Sequence, residues 1–122
     1  MAWTYAQSSG ALLDTNDNQV AIGYSGSPEG KNDPTKQDIQ NVGPIPRGSY
    51  TIGEPFSSSL HGPFCMPLEP DPANEMFGRD GFLMHGDSME HPGCASEGCI
   101  IMQRPVREQV WASTDHTLQV VE

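Results

Sequence analysis

The segment His85-Gly-Asp-Ser-Met-Glu-His-Pro-Gly-Cys-Ala-Ser-Glu-Gly-Cys99-Ile-Ile-Met102 decides the reading of this chain. It follows the apolar run Phe82-Leu-Met84 and closes on a second, Ile100-Ile-Met102, so two short buried strands flank a polar, glycine-bearing loop. A histidine follows the first run and a cysteine precedes the second. The thiolate is the attacking form of cysteine, and an unperturbed thiol is only slightly ionised at neutral pH; a histidine within reach supplies the deprotonation. Gly86, Gly93 and Gly98 allow close backbone approach to a substrate, and N–H groups around Gly98 and Cys99 suit an oxyanion hole. A free cysteine is also a small buried hydrophobe in many proteins, so a packing role for Cys99 stands beside the catalytic one.

Outward from this segment the chain reads as mainly β. With 122 residues it is expected to form one domain, 1–122, and its 13 glycines and 11 prolines punctuate short runs rich in Val, Ile, Thr and Tyr. Strands are expected at Trp3–Tyr5, Val20–Tyr24, Tyr50–Ile52, Phe82–Met84, Ile100–Met102 and Thr117–Val121, with Gly10–Asn18 as a hairpin turn and Arg47–Ser49 as a turn. Residues 25–41 form a long polar loop in which Lys31 and Lys36 can lie over a substrate carboxylate. Residues 53–80 read as irregular and proline-rich, with a short strand near 62–67. A brief helix is expected at Asp71–Glu75, capped by Asp71 with Pro72 in its first turn. The best helix is Arg104–Ala112, where Val106, Val110 and Trp111 share a face.

The central segment resembles the signature of the L,D-transpeptidase (YkuD-type) catalytic domain: a His-Gly, a variable loop, then Ser/Thr-His-Gly-Cys and apolar residues. The resemblance makes Cys99 the nucleophile and His85 the general base, with Ser96, Gly98 and Gly86 shaping the nucleophile loop. It implies a compact β-sandwich or mixed sheet with one or two short helices. Two positions depart from the pattern: Glu97 replaces the second motif histidine, and Ile101 stands where an arginine is common. The short loop and its Ala-Ser-Glu-Gly-Cys-Ile-Ile ending resemble, more narrowly, small L,D-transpeptidase-like toxins delivered by type VI secretion systems. Trp3–Gly10, Gly43–Tyr50, Gly62–Phe64 and Met76–Arg79 extend that resemblance, with Pro46, Gly48 and Tyr50 as structural residues.

The resemblance implies acyl transfer through a thioester on peptidoglycan tetrapeptide stems, with loss or exchange of the terminal D-alanine. A backbone carbonyl is expected to hold the His85 imidazole. Stem carboxylates call for an arginine, and Arg79 and Arg104 are the candidates, each also able to brace the fold. Ser88, Ser96, Glu97 and His91 are further candidates for substrate contact, whereas His61 and His116 read as ordinary surface or half-buried residues. No metal and no cofactor is implied. The implied partners are the type VI apparatus and a cognate immunity protein.

The net charge of −10 argues against nucleic acid or an anionic membrane as partner, and no stretch has the length of a membrane span. The start Met-Ala-Trp-Thr-Tyr-Ala-Gln carries no signal-peptide pattern, so the expectation is synthesis in the cytoplasm, non-Sec export and action in the periplasm of a target bacterium. Cys65, Cys94 and Cys99 are an odd count without zinc spacing; a Cys65–Cys94 disulfide and an inactivating Cys94–Cys99 disulfide are both open. Three rival readings remain: a cysteine amidase or endopeptidase cutting another stem bond, a non-enzymatic cell-wall-binding module, and a metal site of His85, His91 and Cys99.

Overall fold

The computed structural model describes residues 2–122. Ten strands form a mixed open sheet: β1 (Trp3–Ala6), β2 (Ala11–Leu13), β3 (Gln19–Ile22), β4 (Tyr24–Ser25), β5 (Gly48–Ile52), β6 (Phe56–Ser58), β7 (Gly62–Pro70), β8 (Leu83–His85), β9 (Ile100–Ile101) and β10 (Thr117–Val121). The one α-helix among the described residues, α1, spans Arg104–Ala112. Neighbouring strands run β3-β2-β1-β10-β5-β7-β8-β9-β4, with β6 attached to β7. The pairs β1–β10 and β8–β9 are parallel and the rest are antiparallel. The fold is mainly β, in the mixed-sheet form of the expectation.

Alternation along the strands fixes which side chains enter the core. In β10, Leu118 and Val120 are buried while Thr117, Gln119 and Val121 face out. The parallel register places Trp3 beside Leu118 and Tyr5 beside Val120, so the buried side chains of both strands share a face. Tyr50 and Ile52 of β5, Met66 and Leu68 of β7, Met84 of β8 and Ile100 of β9 continue that core across the sheet.

Helix α1 closes the core from one side by packing on β7 and β8. Val110 is fully buried, and Val106 and Trp111 pack against the same cluster, as their spacing predicts. Its C-terminus is satisfied by Ser113, whose hydroxyl donates to the Val110 carbonyl at 2.7 Å and accepts the Trp3 indole N–H at 3.0 Å. This packing also carries Arg107, a residue that the amphipathic pattern does not single out, against β7.

Five regions differ from the sequence expectation. Of the turn expected at Arg47–Ser49, Gly48 and Ser49 already belong to β5, paired with Val120 and Gln119 of β10. The span 10–18 is not only a turn: Ala11–Leu13 pairs with both β1 and β3, and the reversal is confined to 14–18, where the Asp14 carboxylate accepts the Asn16 and Asn18 N–H groups. The returning strand is broken at Gly23, after which Tyr24–Ser25 leaves β2 and pairs with β9. Residues 62–70 form the longest strand among the described residues: Pro67 and Pro70 keep ladder positions opposite Leu83 and Tyr50, the Pro67 carbonyl still accepts the Gly53 N–H at 2.8 Å, and β7 turns at Phe64, whose φ is +57°. Asp71–Glu75 is a turn and not a helix: Asp71 accepts the Ala73 N–H at 2.8 Å, but Asn74 is drawn to β5 by hydrogen bonds with the backbone N–H and C=O of Ser49. The long polar loop contains one 3₁₀ turn, Pro34–Lys36, capped by Asp33.

Candidate active site

The parallel pair β8–β9 brings the two ends of the diagnostic segment together. Its register sets Met84 beside Ile100 and His85 beside Ile101, so Cys99 falls one step before the first pair, next to Leu83. The Leu83 N–H donates to Cys99 Sγ at 3.3 Å. His85 and Cys99 line one cavity of about 300 Å³, together with His61, Phe82, Glu97 and Gly98, a size at the lower end of small-ligand sites.

His85 is almost wholly buried, and its Nδ1 lies 2.8 Å from the Gly86 carbonyl. A carbonyl only accepts, so in the neutral ring the proton sits on Nδ1 and the lone pair is on Nε2. Nε2 is buried and has no hydrogen-bond partner. Burial is the main reason that the His85 pKa falls from 6.5 to about 4, partly opposed by the Gly86 carbonyl and reinforced by His61. The half-buried His61 ring stacks on His85 with centroids 4.0 Å apart and planes inclined by 21°.

Cys99 is half-buried, and burial pushes its thiol up to about 11. The Leu83 N–H counters that shift, whereas Cys65 and Glu97 add to it. The resting pair is therefore a neutral thiol and a neutral imidazole. Glu97 itself is exposed at the cavity edge.

Ser96 organises the loop that presents Cys99. Its fully buried hydroxyl donates to the Cys99 carbonyl at 2.6 Å and accepts the N–H groups of Gly26 at 2.9 Å and Gly98 at 3.0 Å. The Gly98 N–H is thus held within the loop, and Gly98 acts through its shape. Its φ is +144°, and a Cβ there would stand 2.8 Å from the Phe82 ring and 2.6 Å from Arg79 Nη2. Ser25, which sequence reasoning missed, donates to the Gly98 carbonyl and accepts from the Ile45 N–H, each at 2.8 Å. The other wall of the loop is tied by Asp87, which accepts from the Tyr24 hydroxyl at 2.5 Å and from the Ser88 and Gly93 N–H groups.

The two candidate arginines are committed elsewhere. Arg79 is 5 % exposed and donates to four backbone carbonyls, those of Gln37, Gly43, Pro44 and Glu97, at 2.6–3.2 Å. It braces the polar loop against the Cys99 loop, and its guanidinium packs on Phe82. Arg104 pairs with Glu108 on the outer face of α1 at 3.1 Å and lies over Phe64. His91 is exposed, with its N–H donated to Ser88 Oγ and its carbonyl accepting from Cys94, and it lines neither this cavity nor the neighbouring groove. Ser88 lies in that groove, next to the cavity. His61 is half-buried, as expected, and it also lines the cavity and stacks on His85; 24 positions from His85 and on another turn, it left no local signal of that contact.

All three thiols are free: Cys65 is buried in β7, Cys94 is exposed and Cys99 is half-buried. Neither disulfide is present. Among the described residues no group of three or more His, Cys, Asp or Glu side chains is disposed to hold a metal, and His91 stands apart from the pair it would have to join. No helix among them is long and apolar enough to cross a membrane.

The arrangement combines a buried imidazole whose Nε2 has no partner, a half-buried thiol on a hydrogen-bonded loop and a cavity lined by both residues. Comparison with known proteins adds a family to this geometry. The family model described as the Tlde1 domain matches residues 19–122, which include every residue of the site. No curated protein and no solved structure matches the chain. The match covers most of the sequence, and the chain belongs to the Tlde1 domain family, a family of type VI effector toxins.

Proposed function

We propose that this toxin is a cysteine L,D-carboxypeptidase and L,D-transpeptidase that acts on peptidoglycan tetrapeptide stems. The observation that carries the reading is His85 Nε2: a buried acceptor without a partner, its tautomer set by the Gly86 carbonyl, in the cavity that Cys99 also lines. A base in that state is built to take one proton.

The reaction starts from the neutral pair. The Cys99 S–H bond breaks, its proton goes to His85 Nε2, and Sγ attacks the carbonyl at the L-centre of meso-diaminopimelate. The carbon–nitrogen bond to the terminal D-alanine then breaks, and the departing amine takes the proton from His85. A thioester to Cys99 remains. Water deprotonated by His85 releases the tripeptide and restores the thiol; an amine in place of water gives exchange or a cross-link. Moving the proton during attack avoids a standing buried ion pair, which the low dielectric around both groups disfavours.

The type VI effector family supports an export apparatus and an immunity protein as partners, and the proposed substrate puts the place of action in the periplasm of a rival cell. Directing the protein to the periplasm of a sensitive Gram-negative host and analysing its wall tests this reading. Muropeptides are expected to shift from tetrapeptide to tripeptide, with no shift for Cys99→Ala. Cleaved cross-links with intact tetrapeptides would instead assign another stem bond, and equal toxicity of Cys99→Ala would assign a binding role.

A further inference from the structure

The six basic side chains of this acidic chain can be followed one by one. Arg47 pairs with Glu122 and Arg104 with Glu108. Arg79 is occupied by four carbonyls. Lys36 donates to the Glu29 carbonyl, and Lys31 lies 4.5 Å above the Tyr24 ring. Arg107 is left. It is only 5 % exposed, and among the described residues it makes no ion pair.

Its Nη1 donates to the carbonyls of Pro63 at 3.0 Å and Phe64 at 2.7 Å. Nε is buried with no partner, and Nη2 makes no hydrogen bond among the described residues. Nη2 lies beside Gly86, where a Cβ would stand 3.0 Å from it. The residue lines a groove of about 590 Å³ that also contains Gly86, Ser88, His61 and His85, and the last two belong to the Cys99 cavity as well. A buried guanidinium keeps its charge and is unfavourable without an anion. Its unoccupied Nε–Nη2 edge has the fork geometry that matches a carboxylate.

Building on the L,D-carboxypeptidase reading, we infer that Arg107 binds the C-terminal carboxylate of the departing residue, so that the groove selects stems with a free end. In a stem cut one residue from its terminus, that carboxylate lies one residue beyond the scissile carbonyl, about 3.8 Å along the chain. Arg107 Nη2 lies beside Gly86, the residue that follows His85, and His85 and Arg107 line the same groove. Among the described residues the carboxylates on this groove are Asp87, held by the Tyr24 hydroxyl and the Gly93 N–H, and Glu90, which is exposed.

The test is a binding measurement that needs no turnover. Cys99→Ala protein is titrated calorimetrically with the stem tetrapeptide ending in D-alanine and with the same peptide as its C-terminal amide; Cys99→Ala/Arg107→Gln is treated alike. The acid should bind about 10- to 100-fold more tightly than the amide, from charge-assisted hydrogen bonds, and the ratio should fall to within twofold in the double variant. Equal binding of acid and amide by Cys99→Ala overturns the inference, as does no binding of either, or a ratio that survives Arg107→Gln in a variant with a native circular-dichroism spectrum. Should Arg107→Gln fail to fold, the acid-to-amide ratio of Cys99→Ala decides alone. D-alanine release by the wild type is followed separately. Acid-selective binding without release keeps the carboxylate site and removes the L,D reading, and release without acid preference does the reverse.

Discussion

Alkylation of Cys99 as a function of pH separates two ways of making the nucleophile. Burial raises its thiol from 9.0 to about 11, two units, so at pH 7 its thiolate population is about a hundredfold below that of an ordinary cysteine. The exposed Cys94 is an internal control in the same molecule. Brief iodoacetamide labelling followed by peptide mass mapping should show Cys94 modified faster at pH 7. The Cys99 rate should rise about tenfold per pH unit from pH 6 to 10. His85→Asn should leave that slope unchanged while it lowers turnover by about 10²- to 10⁴-fold, the usual contribution of a general base. Slopes, unlike absolute rates, do not depend on the half-burial of Cys99. Rapid labelling of Cys99 at pH 5–6, flat with pH and abolished by His85→Asn, would refute the neutral-pair mechanism and require a standing thiolate–imidazolium pair.

Other predictions concern the scaffold. Arg79→Met leaves four backbone carbonyls without their donor, those of Gly43 and Pro44 buried, and should lower stability by about 3 kcal/mol in urea titrations; an unchanged midpoint would show that Arg79 is not a brace. Ser96→Ala removes three hydrogen bonds at the Cys99 loop, which should reduce stability by about 2–4 kcal/mol and slow turnover in the fraction that folds; full activity would contradict its assigned role. Stability should also fall at both ends of the pH scale. His85 binds its proton in the unfolded chain but not in the native state between pH 6.5 and about 4, so stability is lost as pH drops through that window. Cys99 ionises in the unfolded chain first, so stability is lost as pH rises from 9.0 toward about 11. His85→Asn and Cys99→Ala should flatten the acid and alkaline limbs respectively in thermal melts.

The sequence made the site's centre legible because its physics is local. Two apolar runs flanking a polar loop mark the strands that carry His85 and Cys99, and the pattern of Val106, Val110 and Trp111 fixes α1. What stayed hidden depends on long-range pairing. Proline removes a ladder donor, so the sequence predicts only a short strand near 62–67, yet Pro67 and Pro70 occupy the β7 ladder and leave it continuous to residue 70. The arginines show the same limit: charge type points to carboxylate binding, but only the tertiary structure shows that Arg79 meets four carbonyls and that Arg107 makes no ion pair among the described residues. His61 reaches His85 by a turn between β6 and β7 that no spacing encodes.

The most direct test of the central claim is mass-spectrometric product analysis of disaccharide tetrapeptide incubated with the purified protein and with Cys99→Ala. The account predicts loss of one D-alanine by the wild type alone, and incorporation of a second D-amino acid when one is supplied. Tetrapeptide left intact by folded, reduced wild type, or shortened equally by Cys99→Ala, would contradict it.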